Sequence, residues 1–90
     1  MYIYRVDYAP YVDEDEDFNI HLRSFSTFEN AFSFITLRMK SLNQIITSLD
    51  HTTIDETEEE QHYYYVEDNF NTRSTYTIHK ELVDYISFDE

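Results

Sequence analysis

The chain has no glycine, no cysteine and no tryptophan, and its one proline is Pro10. Each absence removes a class of chemistry. Phosphate-cradling loops and dinucleotide-binding turns need glycine so that backbone N–H groups can come close to a phosphate, and without it both are excluded. Without cysteine there is no disulfide framework, thiolate metal site or cysteine nucleophile, and the redox compartment cannot be read. Turns must be built from Asn, Asp, Ser and Pro10. No run approaches the roughly 18 apolar residues of a membrane span. Met1 leads directly into the alternating Tyr2-Ile3-Tyr4-Arg5-Val6, with neither a basic nor a continuous apolar segment ahead of it. The expectation is a soluble cytoplasmic protein with no membrane partner.

Cations are the other scarcity. Six Lys and Arg stand against nineteen Asp and Glu, a formal net charge of −13. Such an imbalance repels nucleic acid and anionic membrane and favours a basic partner, although acidity also serves solubility alone. What the chain does have is a core. Hydrophobic residues make up 41% and aromatics 18% of its 90 residues, a composition outside the disordered range. Residues 1–90 form one domain with a single modest core.

One stretch organises the rest. From Ser26 to Leu49, the residues Phe28, Phe32, Ile35, Met39, Leu42, Ile46 and Leu49 recur at spacings of four and three, the repeat of one helical face. Ser26 is placed to cap the first turn, with Glu29 where a capping box needs it. The wheel puts Leu37 nearly opposite the apolar face, beside Ser33, Lys40 and Gln44. A wide stripe of this kind predicts a helix packed on a sheet rather than a coiled-coil seam.

The flanking segments read as strands. Tyr2, Tyr4, Val6 and Tyr8 share one face of the first, which Pro10 ends. Phe18, Ile20 and Leu22 alternate in a second, His62 to Val66 form a third, and Ser74 to Lys80 a fourth with Tyr76 and Ile78 on one side. Asp13 to Asp17 reads as a solvated hairpin loop, and Asp50 to Gln61, with its acids, as a mobile loop. The tail is open between a short helix over Leu82, Tyr85 and Ile86 and a continued strand, with the helix preferred. The expected fold is α+β in two layers: an antiparallel sheet of about four strands in the order β-β-α-β-β, with the long helix on one face.

Catalytic and metal-binding patterns are weak. Asp13-x-Asp15-x-Asp17 starts like a calcium loop, but Phe18 stands where glycine is needed and Ser24 where the closing glutamate belongs. The four histidines, His21, His51, His62 and His79, show no H-x-H or H-x-x-x-H spacing and read as surface groups, with a facing His21–His79 pair left open. Acid pairs abound, yet a small two-layer domain offers little cleft in which to desolvate one of them. No serine sits in a nucleophile elbow. The expectation is a binding protein that is not an enzyme and has no metal or cofactor.

The acids cluster. Asp13, Glu14, Asp15, Glu16 and Asp17 form one group, Asp55, Glu56, Glu58, Glu59 and Glu60 a second, and Glu67 and Asp68 add to them. Carboxylates at such density can compete with DNA, which carries one charge per about 1.7 Å, for rows of Lys and Arg. Tyr63 and Tyr65, on the sheet face away from the helix, offer apolar contact with a hydrogen-bonding tip. These fourteen residues are the candidate partner-binding set.

In whole-chain character the sequence resembles small phage-encoded anti-defence proteins of the anti-CRISPR and DNA-mimic kind: brief, strongly acidic, with one α+β core and no catalytic motif. No diagnostic motif carries that resemblance residue by residue. It implies a monomer or homodimer acting in the host bacterial cytoplasm, which inhibits a CRISPR effector or nuclease by occupying its basic nucleic-acid or PAM-reading surface and does not itself bind nucleic acid. An immunity protein or antitoxin that neutralises a basic toxin shares this physics and differs in expecting a toxin gene alongside. A structural or assembly protein using the Tyr-bearing face is the reading from another class.

Overall fold

The alternation at the start of the chain builds strand β1 (Tyr2–Pro10), in which Val6 is fully buried and Tyr4 and Tyr8 pack beside it. Residues 1–10, 19–54, 56 and 58–83 are described in the computed structural model. They continue through β2 (Ile20–Phe25), α1 (Phe28–Ser41), β3 (Ile45–Ile54), β4 (Glu59–Glu67) and β5 (Arg73–Leu82). The sheet is antiparallel throughout, with order β2-β1-β5-β4-β3. The described residues form an α+β fold with a helix on an antiparallel sheet, as expected, but with five strands, not about four, in the order β-β-α-β-β-β.

The extra strand comes from the expected helix, which ends at Ser41 and not at Leu49. Asn43 adopts a left-handed conformation with φ 55°. The Gln44 N–H then donates to the Met39 carbonyl (2.8 Å) and the Asn43 N–H to that of Lys40 (3.4 Å). These two bonds make a Schellman cap, with asparagine in the role usually taken by glycine. Beyond it, Ile45, Ile46, Thr47, Thr52 and Thr53 are β-branched and favour the extended chain. Ile46 and Leu49 fit the helical repeat, yet they face the same side of β3, because a register shift between Ile46 and Ser48 resets the alternation. At the other end the cap is Thr27 rather than Ser26, its side chain accepting from the Asn30 N–H at 3.1 Å.

Other boundaries shift as well. Residues 50–54 and 59–61 are not a loop: they are the end of β3 and the start of β4, with His51 opposite His62 and Thr53 opposite Glu60. The expected tail helix fails at its first residues, since Glu81 and Leu82 complete β5 against β1. Tyr85 and Ile86 lie outside the described residues, as does Phe18.

Ala31, Ile35 and Met39 bury the inner face of α1 against Val6, Phe25, Tyr64, Val66, Tyr76 and Ile78. Tyr76, fully buried on β5, donates its phenolic hydrogen to Gln44 Oε1 at 2.7 Å and so ties the helix exit to the middle of the sheet. The helix lies over β2, β1 and β5. Its reach to β4 is through the Phe28 ring on His62 (4.9 Å) and the Phe32 ring on Tyr64 (5.5 Å). Phe32 is therefore at the rim, 38% exposed, while Ile35 has no exposed surface. Replacing Ile35 by Ala should cost about 2–5 kcal/mol of stability through the cavity it leaves. Phe32→Ala should cost clearly less, both being read as shifts in the urea midpoint at unchanged slope.

Candidate interaction surface

The β3–β4 hairpin projects past the helix, and all nine residues from Ile45 to Thr53 are exposed. Its charge is one-sided. No Lys or Arg occurs between Lys40 and Arg73, whereas Asp50, Asp55, Glu56, Glu58, Glu59, Glu60, Glu67 and Asp68 all fall there. Three of the cations are stacked on aromatic rings. Arg23 lies over the Phe25 and Phe34 rings, Arg38 over Tyr8 and Lys80 over Tyr2, the last at 4.4 Å. Stacked there, they shield their own aromatic neighbours.

Those of the expected binding residues that are described do not form one patch. Asp13, Glu14, Asp15, Glu16, Asp17 and Asp55 lie outside the described residues. Glu56 and Glu58 are exposed in the β3–β4 turn, where Glu58 has φ 58° and accepts from the Tyr2 hydroxyl at 3.3 Å. Glu59 accepts from the Leu82 N–H at 3.4 Å, and Glu60 stands between His62 and His51. Glu67 and Asp68 lie at the far end of β4, roughly 25 Å away at the rise of an extended chain. Asp68 is structural: its Oδ1 accepts from the N–H groups of Phe70 (2.8 Å) and Thr72 (3.0 Å), holding the β4–β5 turn together. Pro10 and Ile20, which flank the first acidic run, are at that same far end, opposite Ser74 and Tyr8 respectively.

Tyr63 and Tyr65 do share the face away from the helix, stacked with centroids 6.5 Å apart and planes 17° from parallel. The Tyr63 hydroxyl is bonded to Gln61 on the same strand. Tyr65 is exposed.

Sequence reasoning missed the apolar half of the surface. Ile45, Ile46 and Leu49 are exposed along β3, Leu49 by 66%, and Phe32, Leu37 and Leu42 are exposed on the helix. The signal was present in the β-branched residues of 45–54, hidden by acids that suggested a loop. His51 and His62 were also passed over as a pair, since their closeness depends on the β3–β4 register.

The open face of the central strands carries a charged cluster. Arg5 bridges Asp7 (3.3 Å) and Glu81 (2.6 Å), and His79 Nε2 lies 3.1 Å from Asp7 Oδ2. His21 and His79 do not face each other as a pair, because β1 runs between them, with Asp7 opposite His21 and Arg5 opposite His79. The Nε2 of His21 is engaged instead by the Ser24 hydroxyl at 3.1 Å. Burial, aided by the Arg5 guanidinium, holds His79 below the ordinary imidazole value of 6.5, while Asp7 and Glu81 pull it upward.

Among the described residues no helix is long and apolar enough to cross a membrane. No family model matches the sequence, and neither curated proteins nor solved structures give a significant match.

The folded chain holds a proton on His79 less well than the unfolded chain does. This group's contribution to stability is therefore complete above about pH 6.5 and is lost as pH falls from there through the depressed folded value. NMR titration should find the His79 imidazole half-protonated below 6.5. His79→Gln should flatten the fall in thermal stability just below that pH, above the range where carboxylates titrate.

Proposed function

We propose that this is a small acidic inhibitor that binds the basic, nucleic-acid-contacting surface of a defence complex such as a CRISPR effector or nuclease. The observation that carries the reading is the β3–β4 hairpin, where the exposed acids Asp50, Glu56 and Glu58 stand beside exposed Ile45, Ile46 and Leu49 in a stretch, 41–72, that contains no Lys or Arg. Nucleic-acid grooves are lined by Lys and Arg whose stems are apolar, so a surface of mixed carboxylate and aliphatic character suits both parts of those side chains. Long-range attraction would speed the encounter, and contact with Ile45 and Leu49 would prolong it. The resemblance to phage anti-defence proteins supplies the biological setting; an immunity protein facing a basic toxin would use the same hairpin.

The separation of the acidic groups refines the reading. Glu56, Glu58, Glu59 and Glu60 gather at one end of the sheet, and Glu67 lies at the other. An elongated groove is a better match than a compact pocket. Neither catalysis nor a direct contact with nucleic acid enters this mechanism.

The assembly reading keeps one observation in its favour, the exposed edge strand β3, which could pair with another strand. Salt separates the two. Capture from nuclease-treated lysate of the native host should retain a basic nucleic-acid-binding protein that elutes with rising salt and is displaced by duplex DNA. The triple variant Glu56→Lys, Glu58→Lys, Glu59→Lys should remain folded by circular dichroism and bind roughly 100-fold or more weaker at low ionic strength. Retention that ignores both salt and the three reversals would refute the acidic-surface mechanism and leave assembly through β3.

A further inference from the structure

On the helix side of the hairpin, three ligand-bearing side chains converge near the acidic turn. His51 and His62 are directly opposite each other on β3 and β4. Their imidazole rings stack with centroids 4.3 Å apart and planes 16° from parallel. Glu60 is two residues before His62 and thus on the same face of β4. One carboxylate oxygen is 3.5 Å from His62 Nε2, the other 4.0 Å from His51 Nε2, and one donor atom from each residue lies within 4.8 Å of the other two. From these contacts we infer that His51, Glu60 and His62 form a binding site for a divalent transition-metal ion of the zinc class.

The donor set determines the class of ion. Two imidazole nitrogens and one carboxylate suit borderline metals such as Zn²⁺, whereas Ca²⁺ and Mg²⁺ prefer a full shell of oxygens. The sheet fixes most of the geometry. Directly opposed positions on antiparallel strands hold their side chains about 5 Å apart, and the i, i+2 relation adds the third ligand without a loop. Donors around a four-coordinate zinc, at roughly 2.0–2.2 Å from the metal, sit about 3.5 Å from one another, so closure needs side-chain rotation of about 1 Å and no movement of the strands.

The surroundings hold one of the ligands in place: the Phe28 ring packs against His62 at 4.9 Å. The Thr53 hydroxyl, 3.4 Å from His51 Nε2, is exchanged for the metal at that nitrogen. Lys80, opposite Glu60 in the register, places its ammonium over the Tyr2 ring at 4.4 Å, so the carboxylate is not committed to that cation. The site borders a shallow cavity of about 480 Å³ on the part of the sheet that the helix leaves uncovered, with Leu49 and Tyr64 beside the two histidines. Three protein ligands leave coordination positions open toward that cavity, for water or for a side chain of whatever docks there. The carboxylates around the turn raise the local concentration of cations. Because its ligands come from both strands, a bound ion would cross-link β3 to β4 near the turn, where no helix supports them.

The site stands independently of the partner proposed above. Metal-free full-length protein titrated calorimetrically with Zn²⁺ near neutral pH should bind one ion per chain, with a dissociation constant of roughly micromolar or below, and melt at a higher temperature when loaded. With Co²⁺ as the probe, the visible absorption of a low-coordinate ion should appear at the same stoichiometry. His51 is exposed, so His51→Ala should stay folded and bind at least about tenfold weaker. Glu60→Gln should do the same, while His21→Ala on the opposite face should bind normally. The proposal is overturned if the wild-type chain takes up no stoichiometric Zn²⁺, or if His51→Ala binds it as tightly as the wild type.

Discussion

A single helix has to cover a sheet too wide for it. Five strands at about 4.8 Å spacing make a surface some 20 Å or more across, while a helix with its side chains is about 10–12 Å wide. α1 settles over β2, β1 and β5, where Ala31, Ile35 and Met39 close against Val6, Tyr76 and Ile78. The consequences run outward from that seat. β4 is covered in part, through Phe28 and Phe32, and β3 is left bare. The exposed aliphatic side chains, the cavity beside the histidines and the projection of the acidic turn all follow from this mismatch of widths.

The division of the sheet also sorts its charges. On the covered half Arg23 and Arg38 are stacked on aromatic rings, and Arg5 is paired with Asp7 and Glu81. An arginine on a ring buries its stem and adds to the core's edge. On the bare half there is no core edge to complete, and carboxylates take the surface. The stable part of the molecule and the part suited to recognition are thus neighbours in one sheet, joined across the β5–β4 pairing.

Much of the covered half was legible in the sequence. Tyr4, Val6 and Tyr8 alternate, Tyr76 and Ile78 do the same, and the face of α1 is plain from Phe28 to Met39; in each case the period matches the element. The bare half was illegible for a physical reason. Without a covering layer, β3 has no need to concentrate large apolar residues on one side, so its alternation is weak. Ile46 and Leu49 happened to extend the helical spacing, and no glycine marked the stop. Asn43 was the stop, and asparagine in a left-handed cap looks like any other polar residue until its φ is known. The closeness of His51, Glu60 and His62 depends on register, which spacing along one strand cannot reveal.

The uncovered edge has a colloidal consequence. β3 presents unpaired backbone groups beside Ile45 and Leu49, the kind of edge along which identical chains add to one another and aggregate. At neutral pH, two copies approaching through their hairpins bring carboxylates together, and like-charge repulsion holds them apart. That safeguard is a property of the solvent as much as of the chain, and it fades as the pH nears the isoelectric point of about 4.4. The carboxylates of the hairpin thus oppose, at neutral pH, the edge-to-edge association that the bare strand invites.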